Sequence, residues 1–177
     1  MGKVSFKYQP ITGTTGAGGT LTRPSNTTAY AAGDVISAVT SNDHYTFTGV
    51  VEYDGAGTAC IESALLIDSA NQATKPDLEL WLFSSDIAEV ADNSAFAPTD
   101  AEMATLIGII PFPVGNFYAG DATSGAGGNC ACPLHGLNIP IKVGPGANVI
   151  YGQLVVRNAY TPVSAEIFTC ILGIVAD

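Results

Sequence analysis

The sequence predicts an all-β fold: a single-domain, jelly-roll-like β-sandwich with one short helix and an extended N-terminal arm. The chain has 177 residues, the size of one ordinary domain. Hydrophobic residues make up 47% of it and charged residues 12%, so a sizeable core can form. Glycine, proline and β-branched residues divide the chain into short segments, few of which have the length and periodicity of an amphipathic helix. This pattern favours a sandwich with Greek-key connections.

Residues 1–20 are predicted to form a flexible N-terminal arm, and residues 21–177 the sandwich domain. The arm ends in the glycine-rich stretch GTTGAGGT, and a second such patch, GDATSGAGGNCAC, covers residues 120–132. Glycine-rich segments of this kind are typical of flexible loops. Neither patch follows a strand and opens a helix, and no P-loop lysine follows either, so neither predicts a nucleotide site.

The arm leads into the first strand through the turn-rich stretch RPSNTTAYAAGD. Pro24 disfavours a helical conformation at Arg23, so the chain enters this stretch extended. Gly33 and Asp34 are predicted to turn the chain into the strand, with the ring of Tyr30 packed over that turn. Arg23 is predicted to bind a carboxylate or a carbonyl, on its own sheet or on a neighbouring one.

Segments rich in β-branched and aromatic residues between turns are predicted to be strands. They cover residues 34–39, 45–53, 58–68, 78–84, 106–112, 137–143, 148–158 and 165–175. In LELWLF the three leucines alternate with Glu79, Trp81 and Phe83, so both faces carry apolar side chains. One face of this strand is predicted to meet the core and the other a neighbouring element.

One short helix is predicted in the segment TDAEMATLI. Thr99 stands at the N-cap and Glu102 three residues later, which is the spacing of a capping box. Asp100 and Glu102 lie in the first turn, where the helix dipole favours negative charge. We therefore expect a connecting helix, with no catalytic role for these carboxylates.

The cysteines are predicted to be reduced thiols at buried apolar positions, because their spread does not suit a disulfide framework. They are Cys60, Cys130, Cys132 and Cys170. The segment CACPLH offers Cys130, Cys132 and His135 as metal donors, but a one-residue gap between cysteines suits tetrahedral zinc poorly. We expect loop thiols without a metal, or a thiol pair that oxidises after cell lysis.

Residues of catalytic type form no recognisable constellation in the sequence. His44 and His135 are the only histidines, and no Gly-x-Ser-x-Gly nucleophile motif occurs. A group of acidic residues is predicted to form a solvated loop, because it lacks the alternating carboxylates and the glycine of a calcium loop. These residues are Asp86, Glu89, Asp92 and Asp100. A non-enzymatic protein without cofactors is predicted; a glycosidase would need two carboxylates about 5 to 10 Å apart in a cleft.

The charge and hydropathy of the chain restrict its partners. The net charge of −10 and the scattered basic residues argue against nucleic-acid binding. No apolar stretch is long enough for a membrane span or a signal peptide, so no membrane partner is expected. High apolar content with little charge indicates a surface that copies of the chain or another protein cover.

Four segments carry a resemblance to tailed-bacteriophage virion proteins. The first is LTRPSNTTAYAAGDVIS, in which an Arg-Pro run with Asn-Thr-Thr-Ala-Tyr precedes the first core strand. The others are KPDLELWLFSSDI (75–87), DNSAFAPTDAEMATLIGIIPF (92–112) and IYGQLVVRNAYTPVSAEIF (150–168). They follow one another in the order of that family and together span most of residues 20–172. The chain resembles capsid decoration (cement) proteins and related structural proteins of the head.

The resemblance implies a β-sandwich module that forms a homotrimer and binds the major capsid protein. Its expected location is the outer capsid surface of the virion, after synthesis in the cytoplasm of the bacterial host. The arm residues assigned to capsid contact are Lys3, Phe6, Lys7 and Tyr8. An extended arm can add main-chain hydrogen bonds to an exposed sheet edge of the capsid.

An alternative from another functional class is a tail or head appendage that binds a glycan on the host surface. Sugar sites favour exposed aromatic rings flanked by carboxylates and amides. The rings that could serve as platforms are Tyr45, Trp81, Tyr118 and Tyr151. Core packing explains most of these rings equally well.

Overall fold

A computed structural model of the protein describes residues 7–15, 20–51, 57–120, 128–143 and 148–176. Within these ranges the chain forms eleven strands, one α-helix and one 3-10 helix. The strands are β1 (Lys7–Thr12), β2 (Leu21–Thr22), β3 (Val35–Ile36), β4 (Tyr45–Thr48), β5 (Gly57–Asp68), β6 (Leu78–Phe83), β7 (Leu106–Phe112), β8 (Tyr118–Ala119), β9 (Cys130–Val143), β10 (Val149–Val156) and β11 (Ile167–Ala176). Helix α1 (Asp100–Met103) lies between β6 and β7, and the 3-10 helix (Val114–Asn116) lies between β7 and β8.

The strands form two antiparallel sheets with jelly-roll connections. Sheet A has the order β1-β11-β5-β9-β8, and β2 pairs with the other end of β11. Sheet B has the order β3-β10-β6-β7, and β4 also pairs with β10. In the described ranges, β1 and β2 can be counted as one interrupted strand, and β3 and β4 as the next. With the two-residue β8 left out, the eight principal strands then run 1-8-3-6 in sheet A and 2-7-4-5 in sheet B. This order is that of a jelly roll, so the predicted fold class is confirmed.

The core lies between the two sheets and is built by alternate residues of each strand. Leu78, Leu80 and Leu82 are fully buried on the inner face of sheet B, as their spacing predicts. On the outer face, Trp81 and Phe83 each meet the ring of Phe96 edge-on, with centroids 5.4 and 6.3 Å apart. The neighbouring element expected for this face is therefore the segment between β6 and α1.

The predicted helix is confirmed, together with its cap. The hydroxyl of Thr99 accepts the N–H of Glu102 at 3.3 Å, and the Glu102 carboxylate accepts the N–H of Thr99 at 2.7 Å. Hydrogen bonds from the backbone N–H groups of Ala88 and Thr99 lower the pKa of Glu102. In the described ranges, no helix is long and apolar enough to cross a membrane.

Two segments expected to be flexible are instead paired strands. Residues 7–12 of the predicted arm form β1, which pairs along its whole length with β11. The end of the second glycine-rich patch and the segment CACPLH belong to β9, which pairs with β5. Pro10 lies in the edge strand β1, and Pro133 lies in the part of β9 beyond its contact with β8, where a missing N–H is tolerated.

The remaining differences concern strand ends. The strands predicted over residues 34–39 and 45–53 are shorter, as β3 and β4, and the two-residue strands β2 and β8 were not predicted. Lys3 and Phe6 lie outside the described residues. So do most of GDATSGAGGNCAC and residues 144–147.

Candidate functional site

Arg23 lies in the interior of the protein, in a cluster that we call the Arg23 cluster: Arg23, Tyr30 and Asp92. Only 1% of Arg23 is exposed. Its guanidinium donates to the Asp92 carboxylate at 3.3 Å, to the backbone carbonyl of Val163 at 3.3 Å, and to the hydroxyl of Tyr30. It also lies over the Tyr30 ring, 4.6 Å from the centroid. Arg23 therefore binds both a carboxylate and a carbonyl, within its own chain.

Asp92 is the acceptor on which the Arg23 cluster converges. The hydroxyl of Tyr30 donates to it at 2.6 Å and the backbone N–H of Ser37 at 3.1 Å. Burial, followed by the hydrogen bond to Asp92, raises the pKa of Tyr30 well above its usual value, so the phenol stays protonated. Asp92 had been assigned to a solvated acidic loop. That expectation is wrong for Asp92, whose side chain is only 7% exposed, because its partner is buried.

The turn that follows Arg23 has local hydrogen bonds of the predicted kind. The side-chain oxygen of Asn26 accepts a hydrogen bond from the backbone N–H of Thr28 at 3.0 Å. Gly33 adopts a φ of +94°, which favours glycine, and its N–H donates to Val156 at 2.8 Å. The Asp34 carboxylate accepts the N–H of Ala31 at 2.7 Å. The ring of Tyr30 stacks on Tyr160, with centroids 6.2 Å apart.

A second polar cluster continues from Tyr160 and contains two buried carboxyl groups. Asp68 and Glu166 are buried and lie close enough to influence each other electrostatically. The hydroxyl of Tyr160 and the amide of Gln72 both donate to Glu166. Burial, and next the charge of Glu166, raise the pKa of Asp68 to about 8. Both carboxyls are buried and accept hydrogen bonds from groups of their own chain, which are the surroundings of a structural element.

The thiols lie on strands rather than in loops. Cys130, Cys132 and Cys170 are buried, as predicted, and Cys60 is half-buried. Burial raises the pKa of Cys130 to about 12 and that of Cys132 to about 11, which disfavours thiolate chemistry. Alternation along β9 points Cys130 and Cys132 inward, while His135 is exposed on the opposite face. Among the described residues, no three metal-binding side chains converge.

The four rings considered as glycan platforms do not form one surface. Tyr45 is fully buried, and its hydroxyl donates to the carbonyl of Phe168 at 2.8 Å. Trp81 is half-buried, with the Arg157 guanidinium over its ring. Tyr151 contacts the ring of His44 edge-on. Only Tyr118 of the four is broadly exposed, at 69%.

A cleft of about 440 Å³ opens beside the carboxyl pair, where Gln72 forms part of its wall. The other lining residues are small, hydroxylated or apolar: Thr27, Ala73, Thr74, Ala159, Thr161 and Pro162. The lining contains none of the four rings and no carboxylate. The cleft therefore lacks the stacking platform that sugar sites favour.

The outer faces of the two sheets differ in their exposure. On sheet B, the outward residues Phe83, Gln153 and Val155 are buried. On sheet A, the outward residues of β5 and β11 are half-buried or exposed, with the exception of the buried Gly173. The run ALLI in β5 predicts apolar side chains on the outer face of sheet A, because Leu65 and Ile67 must face away from Ala64 and Leu66.

Comparison with known proteins identifies no relative: no protein-family model matches the chain, and no curated protein does. The resemblance to phage virion proteins therefore depends on the four segments described above. In the structure they include β2, β6, β7 and β10 and so contribute to both sheets. The Arg23 cluster joins the first segment to the third, and Tyr30 joins the first to Tyr160 in the fourth.

Proposed function

We propose that this protein is a non-enzymatic structural component of a tailed-bacteriophage head. In this proposal it is a capsid decoration (cement) protein that binds the outer surface of the major capsid protein lattice as a homotrimer. In this proposal the protein stabilises the head by mass action. A protein that binds only the correctly spaced, expanded lattice favours that lattice over its disrupted forms.

The observation that carries the proposal is the convergence of the resembling segments on one buried cluster. Arg23, Asp92 and Tyr160 come from three of the four segments and are linked by hydrogen bonds and ring stacking. Residues that meet in the interior are those on which a shared fold depends. This supports reading the resemblance as one of fold and family rather than as four separate short matches.

The segment before β1 is the proposed capsid-contacting region. Lys3 and Phe6 belong to it, and Lys7 and Tyr8 begin β1, where the chain is anchored to β11. An anchored segment presents its residues from a fixed point on sheet A. Three such segments in a trimer would bind with high effective concentration, so modest single contacts would suffice.

The direct test is to mix the purified protein with capsids that lack it and to count bound copies by sedimentation and cryo-imaging. The proposal expects saturable binding at threefold or quasi-threefold positions of expanded capsids. If neither immature nor expanded capsids bind the protein, the proposal fails.

A deletion of residues 2–6 tests the contact region, since it leaves β1 and its pairing with β11 intact. We expect capsid binding to be lost while the urea midpoint stays unchanged. Phe6→Ala should weaken binding, and Val39→Ala, at a 57% exposed apolar residue elsewhere, is the matched control. Equal binding by the deletion variant and the full chain would remove this segment from the mechanism.

The same deletion variant distinguishes the glycan-binding alternative from the capsid proposal. Under that reading the deletion variant would keep its affinity for host-surface polysaccharide, and Tyr118→Ala would abolish it. Under the capsid reading neither protein binds polysaccharide.

A further inference from the structure

We propose that the outer face of sheet A is a self-association surface, through which each copy of the chain packs against another copy. The inference extends the proposed function, because a homotrimer needs such a surface. Its test needs no capsid, however. Self-association through this face can fail while capsid binding holds, and the reverse is equally distinguishable.

The face is built from four rows of outward residues that run across β11, β5 and β9. In order, the rows are Thr169–Ile67–Ala131, Ile171–Leu65–Pro133, Gly173–Ser63–His135 and Val175–Cys60–Pro140. Most of these residues are apolar, and all of them except the buried Gly173 are half-buried or exposed. Tyr118 of β8 pairs with Ala131 and extends the first row with a broadly exposed ring. An open apolar sheet face of this kind marks an interaction site.

The charge distribution favours another copy of this chain as the occupant. The chain has a net charge of −10, so two copies repel one another in most orientations. None of the four rows contains a carboxylate, a lysine or an arginine. Glu62 lies at the bulge between two rows and Lys142 beyond the last row, so their opposite charges balance. With one carboxylate and one amine the face has no net charge, so two acidic copies repel one another less through it than through the rest of their surface.

Three of the four sheet edges are protected by prolines against strand-to-strand association. Pro10 lies in β1, Pro111 in β7, and Pro133 and Pro140 in β9, where β8 covers only the first two residues. Proline cannot donate to a ladder and blocks the addition of a strand at an edge. Association of copies is thereby directed to a sheet face.

The area of the face is sufficient for a stable interface. With a rise of about 3.3 Å per residue and strands about 4.8 Å apart, β1, β11, β5 and β9 present roughly 650 Å². Stable protein interfaces bury about 600 to 1,000 Å² on each partner.

The test compares the same substitution on the two sheets. Ile171→Lys places an amine in the second row, and Ile109→Lys places it on the outward side of β7 in sheet B, where Ile109 is 37% exposed. Sedimentation equilibrium of the full chain at about 10 μM is expected to give a multiple of 18.1 kDa for the wild type and for Ile109→Lys. Ile171→Lys should raise the dissociation constant by about 100-fold and sediment as a monomer. A monomeric wild type, or dissociation by Ile109→Lys with Ile171→Lys still associated, overturns the proposal.

The native thiol of Cys60 gives a second measurement that needs no substitution. Cys60 lies in the fourth row and is half-buried, whereas the other three cysteines are buried in each chain. In the associated protein we expect a bulky maleimide to label Cys60 at least about 10-fold more slowly than after dilution to monomer. If the wild type is associated and labels at the same rate at every concentration, another surface holds the copies together and the proposal is wrong.

Discussion

The sharpest test of the fold is Asp92→Asn, which removes the charge opposite Arg23 without changing the size of the side chain. The guanidinium would stay buried with two neutral partners, the Val163 carbonyl and the Tyr30 hydroxyl. Removing one partner of a buried ion pair costs about 3 to 5 kcal/mol. Because Asp92 keeps 7% exposure and the pair is 3.3 Å apart, we expect the lower end, about 3 kcal/mol. For an m-value near 2 kcal/mol/M, the urea midpoint falls by about 1.5 M.

The assay is urea unfolding followed by tryptophan fluorescence and circular dichroism, with Asp86→Asn as the matched control. Asp86 also contacts a basic side chain, His44, but is 70% exposed, so its loss should change stability by less than about 0.5 kcal/mol. The double variant Arg23→Met, Asp92→Asn should be more stable than the sum of the single losses predicts. A loss below about 1 kcal/mol for Asp92→Asn, or strict additivity in the double variant, would refute the role given to this pair.

Two further predictions concern the interior. The pKa of Asp68 is about 8 in the folded chain against 3.8 for the free side chain, so the folded state holds more protons between these values, and stability should fall as the pH rises from about 4 to about 8. Asp68→Asn should flatten this profile in urea unfolding at pH 5 and pH 8, and an equal slope in both proteins would contradict the assignment. Gly152→Ala would place a Cβ 2.9 Å from Leu80 and 3.0 Å from Phe47, and should cost about 1 to 3 kcal/mol by overpacking. An unchanged melting temperature for this variant would mean that the two side chains move aside freely.

The strands that the sequence predicts well are those whose residues decide the structure locally. Helix α1 follows from the capping spacing of Thr99 and Glu102, and β6 from the alternation around its three leucines. β7 has the predicted bounds because a turn stands at each end. In these segments, propensity, periodicity and burial all agree.

The Arg23 cluster could be predicted only in part, because its members are far apart in sequence. The sequence indicates that Arg23 needs an acceptor, but Asp92 lies 69 residues away among acidic residues of the same type. Nothing in the residue types distinguishes Asp92 from Asp86, which is exposed. Strand β1 was missed for a related reason: its partner, β11, follows it by about 160 residues, and a short segment with a proline has no strand signal of its own.

The place of β11 in sheet A has a consequence for how the protein is made. β11 lies between β1 and β5, yet it follows both in the chain. While a ribosome synthesises the protein, the two flanking strands emerge without the strand that joins them, and their apolar inner faces have no complete sheet to enter. Chains dominated by such distant pairings fold slowly, in milliseconds to seconds. The nascent chain must therefore stay unaggregated until β11 is free, and a chaperone that shields β1 and β5 would increase the yield of folded protein.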